Sequence, residues 1–209
     1  MGTFLGYMSF SMIEGLAVYA LILSIFRFPF MKFIWPIVLI ITVTNLQSFF
    51  IRDELQLTAI SPIINLIITI LFLAIFMRIP IIWSMVMAIT GYIAFILIQT
   101  SVILFSDGYL SLSQAQEFVW KGYLIQLITG AIGIAIGWLL YKFGFGFSFE
   151  FEKLRFKRER ILIISLLVGF LIALGVMMYF RAIFTNFLLF AVALFIFLSY
   201  SLRKDQTKW

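Results

Sequence analysis

The sequence predicts an all-α fold: a polytopic bundle of about seven transmembrane helices, N-terminus outside and C-terminus in the cytoplasm. Three observations lead there. Hydrophobic residues make up 64% and charged residues 11% of the 209, whereas a soluble domain carries about 25% charged residues, and mean hydropathy is +1.17. The apolar residues fall in runs of about 20, the length that crosses the hydrocarbon core. The basic residues gather at the ends of those runs, mostly on alternate loops.

The first span covers residues 3–26 and ends at Arg27 and a Pro29 turn. The second, 33–51, is closed by Arg52, Asp53 and Glu54. The third runs over 57–77 and stops at Arg78 and Pro80; the fourth occupies 81–105. A polar loop, SDGYLSLSQAQE, then leads into the fifth at 118–141. A charged segment over 142–160 separates this from a sixth span at 161–180 and a seventh at 182–202. The last two are divided because a single helix over 161–202 would be about 63 Å long, twice the membrane. With the N-terminus outside, twelve Lys/Arg fall on cytoplasmic segments and three (Arg52, Lys121, Arg181) outside. That bias sets the orientation.

Residues 142–160, KFGFGFSFEFEKLRFKRER, form the one densely charged segment, with six Lys/Arg and three Glu. Insertion would strand those charges in hydrocarbon, so the segment is a cytoplasmic loop within a single membrane domain spanning 1–209. Its Phe residues at 143, 145, 147, 149 and 151 alternate with polar or small residues, a period that suits a strand or an interfacial strip. Lys153, Arg155, Lys157, Arg158 and Arg160 suit anionic lipid headgroups or a cytoplasmic partner protein.

Composition also excludes function classes. The chain has no Cys and no His, which removes disulfides, thiolate chemistry and the usual zinc and proton-shuttle sites. The net charge of +6 is explained by span ends and does not indicate nucleic acid. No signal peptide is expected, because the first apolar run lacks a basic leader and is long enough to span. With no nucleophile motif, metal motif or phosphate-binding loop, the expectation is a non-enzyme without cofactor or metal.

The candidate functional residues are polar groups inside spans. Glu14 is the one acid well inside a span, and a charge at the bilayer centre costs roughly 3 kcal/mol on insertion scales. It therefore needs a partner, a proton or a cavity. Asn45, Gln47, Asn65 and Arg27 are its candidate partners. Asn45, Gln47 and Gln99 belong to the outer halves of their spans, and convergence with Glu14 would make an outward-facing ligand pocket. The other reading of such amides and hydroxyls is interhelical glue, worth about 0.6 kcal/mol each. On the fifth span, Gln126, Gly130, Gly133 and Gly137 share one helical face. The GxxxG pair permits close helix packing, within the chain or across a homodimer.

The order of features over 14–151 (MIEGLAVY, the FRFPF turn, SFFIRDEL, SPIINLIITILF, a polar loop and GFGFSFEFEKLRF) resembles the membrane sensor region of accessory-gene-regulator-type quorum-sensing histidine kinases of Gram-positive bacteria. The chain lacks the phospho-accepting His and the ATP-binding domain of that family. What the resemblance implies is a sensing module of a bacterial plasma membrane. The expected function is thus a receptor or signalling subunit, binding a peptide or small hydrophobic ligand and relaying to a cytoplasmic or membrane partner. The alternatives are a transporter or channel component and a structural assembly subunit.

Overall fold

The computed structural model describes residues 2–53 and 61–147. The sixth and seventh spans and the basic residues Lys153, Arg155, Lys157, Arg158 and Arg160 lie outside the described residues. Those described are helical and contain no strand: α1 (Gly2–Ile25), a 3-10 turn (Phe30–Phe33), α2 (Ile34–Asp53), α3 (Ser61–Ile75), α4 (Ile81–Phe105), the short α5 (Leu112–Glu117) and α6 (Val119–Lys142). Among the described residues, four segments are long and apolar enough to cross a membrane, Phe4–Ile25, Phe30–Phe49, Ile81–Phe105 and Val119–Lys142. Of the expected third span, residues 57–60 lie outside the described residues; α3 has 15 residues, about 22 Å of helix. Residues 143–147, where alternation suggested a strand, form turns with Gly144 and Gly146 at φ 68° and 149°.

Helix ends follow local chemistry. α1 stops where Arg27 takes a left-handed conformation, φ 55°, and Phe28 N donates to Leu23 O at 2.8 Å, closing the last turn in a Schellman-like loop. Arg78, at φ 56°, ends α3 before Pro80 can start α4. Ser111 caps α5 by accepting from Gln114 N.

Contacts between helices fix their directions. On α6, a Cβ at Gly130, Gly133 or Gly137 would meet Ile13, Ala17 and Ala20 of α1 respectively, so α1 and α6 run parallel. The small-residue face therefore packs inside this chain, with α6 glycines set against α1 alanines. Gly91 of α4 meets Ile22, and Gly133 also nears Phe95, so α4 runs antiparallel to α1. Gly15 meets Ile41 and the Tyr7 and Phe49 rings touch, which sets α2 antiparallel as well. Ser61 beside Ser48 and Thr69 beside Tyr19 complete the arrangement with α3 parallel to α1.

The bundle thus has two ends. One carries the start of α1, the end of α2, the start of α3 and the polar loop before α6; below it is called the loop end. The other carries the α1–α2 and α3–α4 turns and residues 143–147. The half near the turns is a close-packed apolar core including Leu21, Ile22, Leu23, Ile37, Leu73, Trp83, Met87 and Ile89. The half near the loop end holds most of the intramembrane polar groups.

Candidate ligand-binding site

α1 packs against α2, α4 and α6, and α3 packs against α2 and α4. The space between α1 and α3, walled by α2 and α4, is a cavity of about 410 Å³. Position along each helix orders its lining. Tyr7, Ser48, Pro62 and Gln99 stand nearest the loop end; Ser11, Glu14, Asn45 and Asn65 follow; Tyr19, Thr69 and Tyr92 lie deepest.

The floor is a hydroxyl cluster. Tyr19 Oη donates to Thr69 Oγ1 at 3.3 Å, and Tyr92 Oη lies 3.3 Å from the same oxygen. Thr69 Oγ1 itself donates to Asn65 O of its own helix. Beneath it the Tyr19 ring meets Phe72 edge-on, which seals the cavity from the apolar core. One wall is a second network: Ser48 Oγ donates to Asn65 Oδ1 (3.1 Å) and accepts from Asn65 Nδ2 (3.0 Å) and from Ser61 Oγ (2.9 Å). Both clusters link helices, whereas many other span hydroxyls close on their own helix. Thr42, Thr100, Ser101 and Thr129 donate to the carbonyl four residues earlier.

Glu14 lies about 18 Å along α1, half-buried, and its Oε2 accepts from Gln126 Nε2 of α6 at 3.0 Å. This partner differs from those the sequence suggested. Arg27 is excluded by the rise of the helix, which places it about 20 Å further along α1. It turns to residues 143–147 instead, where its guanidinium donates to Gly144 O. Gln126 was legible as a member of the glycine face; because that face lies on α1, it brings the amide to Glu14.

Of the expected pocket residues, Glu14, Asn45 and Gln99 line the cavity and Gln47 does not. The reason is helical phase. Ile41, Thr44, Asn45 and Ser48 share the cavity face, while Gln47 is turned about 200° from Asn45. Both polar atoms of Gln47 are enclosed without a hydrogen bond among the described residues. Asn45 Nδ2 and Gln126 Oε1, which belong to cavity-lining side chains, likewise have no hydrogen-bond partner, although buried polar groups are nearly always satisfied. Both side chains stand in the cavity wall, with these two atoms enclosed by their neighbours and without a hydrogen bond among the described residues.

The loop end adds a separate feature. Lys121, buried in the first turn of α6, donates from Nζ to Gln114 Oε1 at 2.6 Å and sits over the Tyr109 ring at 4.5 Å. This ties the polar loop down beside the bundle.

At the turn end, Phe147 N donates to Ile25 O at 2.8 Å, satisfying a terminal carbonyl of α1. The start of the charged segment is therefore fastened to the same helix that carries Glu14. The chain matches no family model, no curated protein and no solved structure.

Proposed function

We propose that this chain is a membrane receptor subunit that binds a compact ligand in the cavity between α1 and α3 and relays occupancy through α1 to the charged segment beginning at Lys142. One observation carries the reading: a cavity of about 410 Å³ inside an apolar bundle, with Glu14, Asn45, Asn65, Gln99 and Gln126 in its wall. Apolar packing alone gives no reason to keep carboxyl and amide groups there, because polar groups buried without full hydrogen bonding cost about 1–3 kcal/mol each. A concave site with a few convergent polar groups is what a small ligand needs. The volume lies within the range of small-molecule sites and is too small for an intact folded peptide. In this proposal seven spans place the N-terminus and the loop end outside, so the cavity faces outward and residues 142–160 face the cytoplasm. The resemblance to quorum-sensing sensor regions supports the same division of labour.

The relay has a physical route. Glu14 and Gln126 join α1 to α6 at the cavity, and Phe147 N and Arg27 join the end of α1 to the segment after α6. A change in cavity occupancy that shifts α1 against α6 reaches residues 143–147 directly. The test is reconstitution of the full chain alone in proteoliposomes, with flux measured beside co-purification from native membranes. A receptor subunit gives no ligand flux and a stoichiometric partner whose association changes with ligand. Robust flux by the chain alone would establish the transport alternative instead.

A further inference from the structure

A second depression lies on the outer side of α2 and α3 and shares no residue with the cavity. It is a groove of about 740 Å³, lined chiefly by Trp35, Leu39 and Val43 of α2 and by Phe72 and Phe76 from the end of α3. The three α2 residues recur every four positions and so share one face of the helix, turned away from the Asn45 and Ser48 face that borders the cavity. Trp35 is 82% and Leu39 65% exposed. On the other side the Phe72 and Phe76 rings stack with centroids 5.4 Å apart. From Trp35 to Val43 the groove runs about 12 Å along α2, close to the depth of one hydrocarbon leaflet, about 15 Å.

The end of the groove at the membrane surface is basic. Lys32 stands one turn before Trp35, and Arg78 two residues beyond Phe76; both are exposed. Because α2 begins where α3 ends, the two cations flank the same end of the groove. No Asp or Glu occurs in 15–52 or in 61–105. Residues 148–160, outside the described residues, carry more Lys and Arg than Glu, so the sequence that follows α6 does not reverse the sign. An apolar trough about one leaflet deep with cations at its mouth is complementary to a lipid with an anionic headgroup. A zwitterionic lipid brings its own cation, which offsets the attraction.

We propose that this groove is a site for an anionic phospholipid, one acyl chain lying along α2 between Trp35 and Val43 and the headgroup phosphate met by Lys32 and Arg78. The inference does not depend on the ligand cavity, nor on which side of the membrane the turns face.

Trp35 supplies the reporter. The full chain is placed in phosphatidylcholine nanodiscs containing increasing fractions of either brominated phosphatidylglycerol or brominated phosphatidylcholine. The quenching of Trp35 is taken as the difference between the wild type and Trp35→Phe. The brominated anionic lipid should reach half-quenching at a fraction at least about fivefold lower than the neutral one. Lys32→Gln with Arg78→Gln should abolish that preference while the neutral lipid quenches Trp35 as in the wild type, which also shows that the groove is intact. Lys32→Arg with Arg78→Lys keeps both charges and should keep the preference. Equal quenching by the two lipids in the wild type would overturn the proposal, as would a preference that survives loss of both charges. Absence of quenching by either lipid would mean that protein covers the groove, from residues after Phe147 or from a second copy, and would overturn it too. So would an equal preference at Trp138, read against Trp138→Phe, which would make the effect a general attraction to the basic surface.

Discussion

Replacing Gly137 by alanine tests whether the glycine face of α6 is an internal seam. An alanine Cβ there would lie 3.1 Å from the backbone carbon of Ala20, 3.2 Å from its Cβ and 3.2 Å from its oxygen. None of these atoms belongs to a flexible side chain, so relief requires α6 to move away from α1. Overpacking of this kind costs about 1–3 kcal/mol. Alanine regains about 1 kcal/mol of helix propensity, which leaves a net loss of up to about 2 kcal/mol. At about 2–4 °C per kcal/mol for a chain of this size, the midpoint of thermal unfolding in nanodiscs, followed by tryptophan fluorescence, should fall by up to about 8 °C. Gly130→Ala should cost at least as much, because its Cβ would lie 2.7 Å from Ile13 Cγ2, a methyl held by a stiff β-branched χ1, and 3.3 Å from the backbone carbon and oxygen of Ile13. An unchanged midpoint for Gly137→Ala, together with lost self-association, would refute the reasoning and assign this face to a contact between two copies.

Other substitutions test single contacts. Asn45→Leu removes an unpartnered buried donor and should leave stability unchanged or raise it by up to about 1 kcal/mol; a clear loss in thermal unfolding would mean that the amide has a structural partner. Gly146→Ala forces a side chain into φ 149°, with its Cβ 2.7 Å from Ile25 O, at a cost of about 1–3 kcal/mol. Hydrogen exchange at the Phe147 amide should accelerate; an unchanged rate would mean that the bond to Ile25 O does not depend on Gly146. Lys121→Met deletes the bond to Gln114 and the contact with Tyr109. It should loosen residues 106–118 by about 1–2 kcal/mol, seen as faster limited proteolysis there, with Lys121→Arg partly restoring protection.

Helix boundaries were readable where the chain punctuates itself. Pro80 and the polar Ser106 bracket α4, and the helix occupies 81–105 as expected. Where the sequence offers only a basic residue the boundary shifts: α3 ends at Ile75, three residues before Arg78, whose left-handed backbone lies outside the helix. For the cavity, the sequence showed which polar groups lie in the apolar helices, toward the loop end, but not their phase. Asn45 and Gln47 look equivalent as sequence; a rotation of about 200° separates them. Gln126 could have been paired with Glu14 only by knowing that the glycine face of α6 lies on α1, a long-range contact that no local pattern encodes. The hydroxyl cluster of Tyr19, Thr69 and Tyr92 was missed for a related reason: tyrosines in apolar runs read as membrane-interface or core residues, and their convergence depends on three helices at once.

The central claim is that the polar cavity faces the same side of the membrane as the polar loop, and opposite to the charged segment. The chain contains no cysteine, so single-cysteine variants can be labelled in intact cells without background. With a small membrane-impermeant thiol reagent, Ser113→Cys and Gln99→Cys should both be modified from outside. Phe145→Cys and Lys157→Cys should react only after permeabilisation. Modification of Lys157→Cys from outside, with Ser113→Cys and Gln99→Cys protected, would turn the cavity toward the cytoplasm and contradict the receptor account.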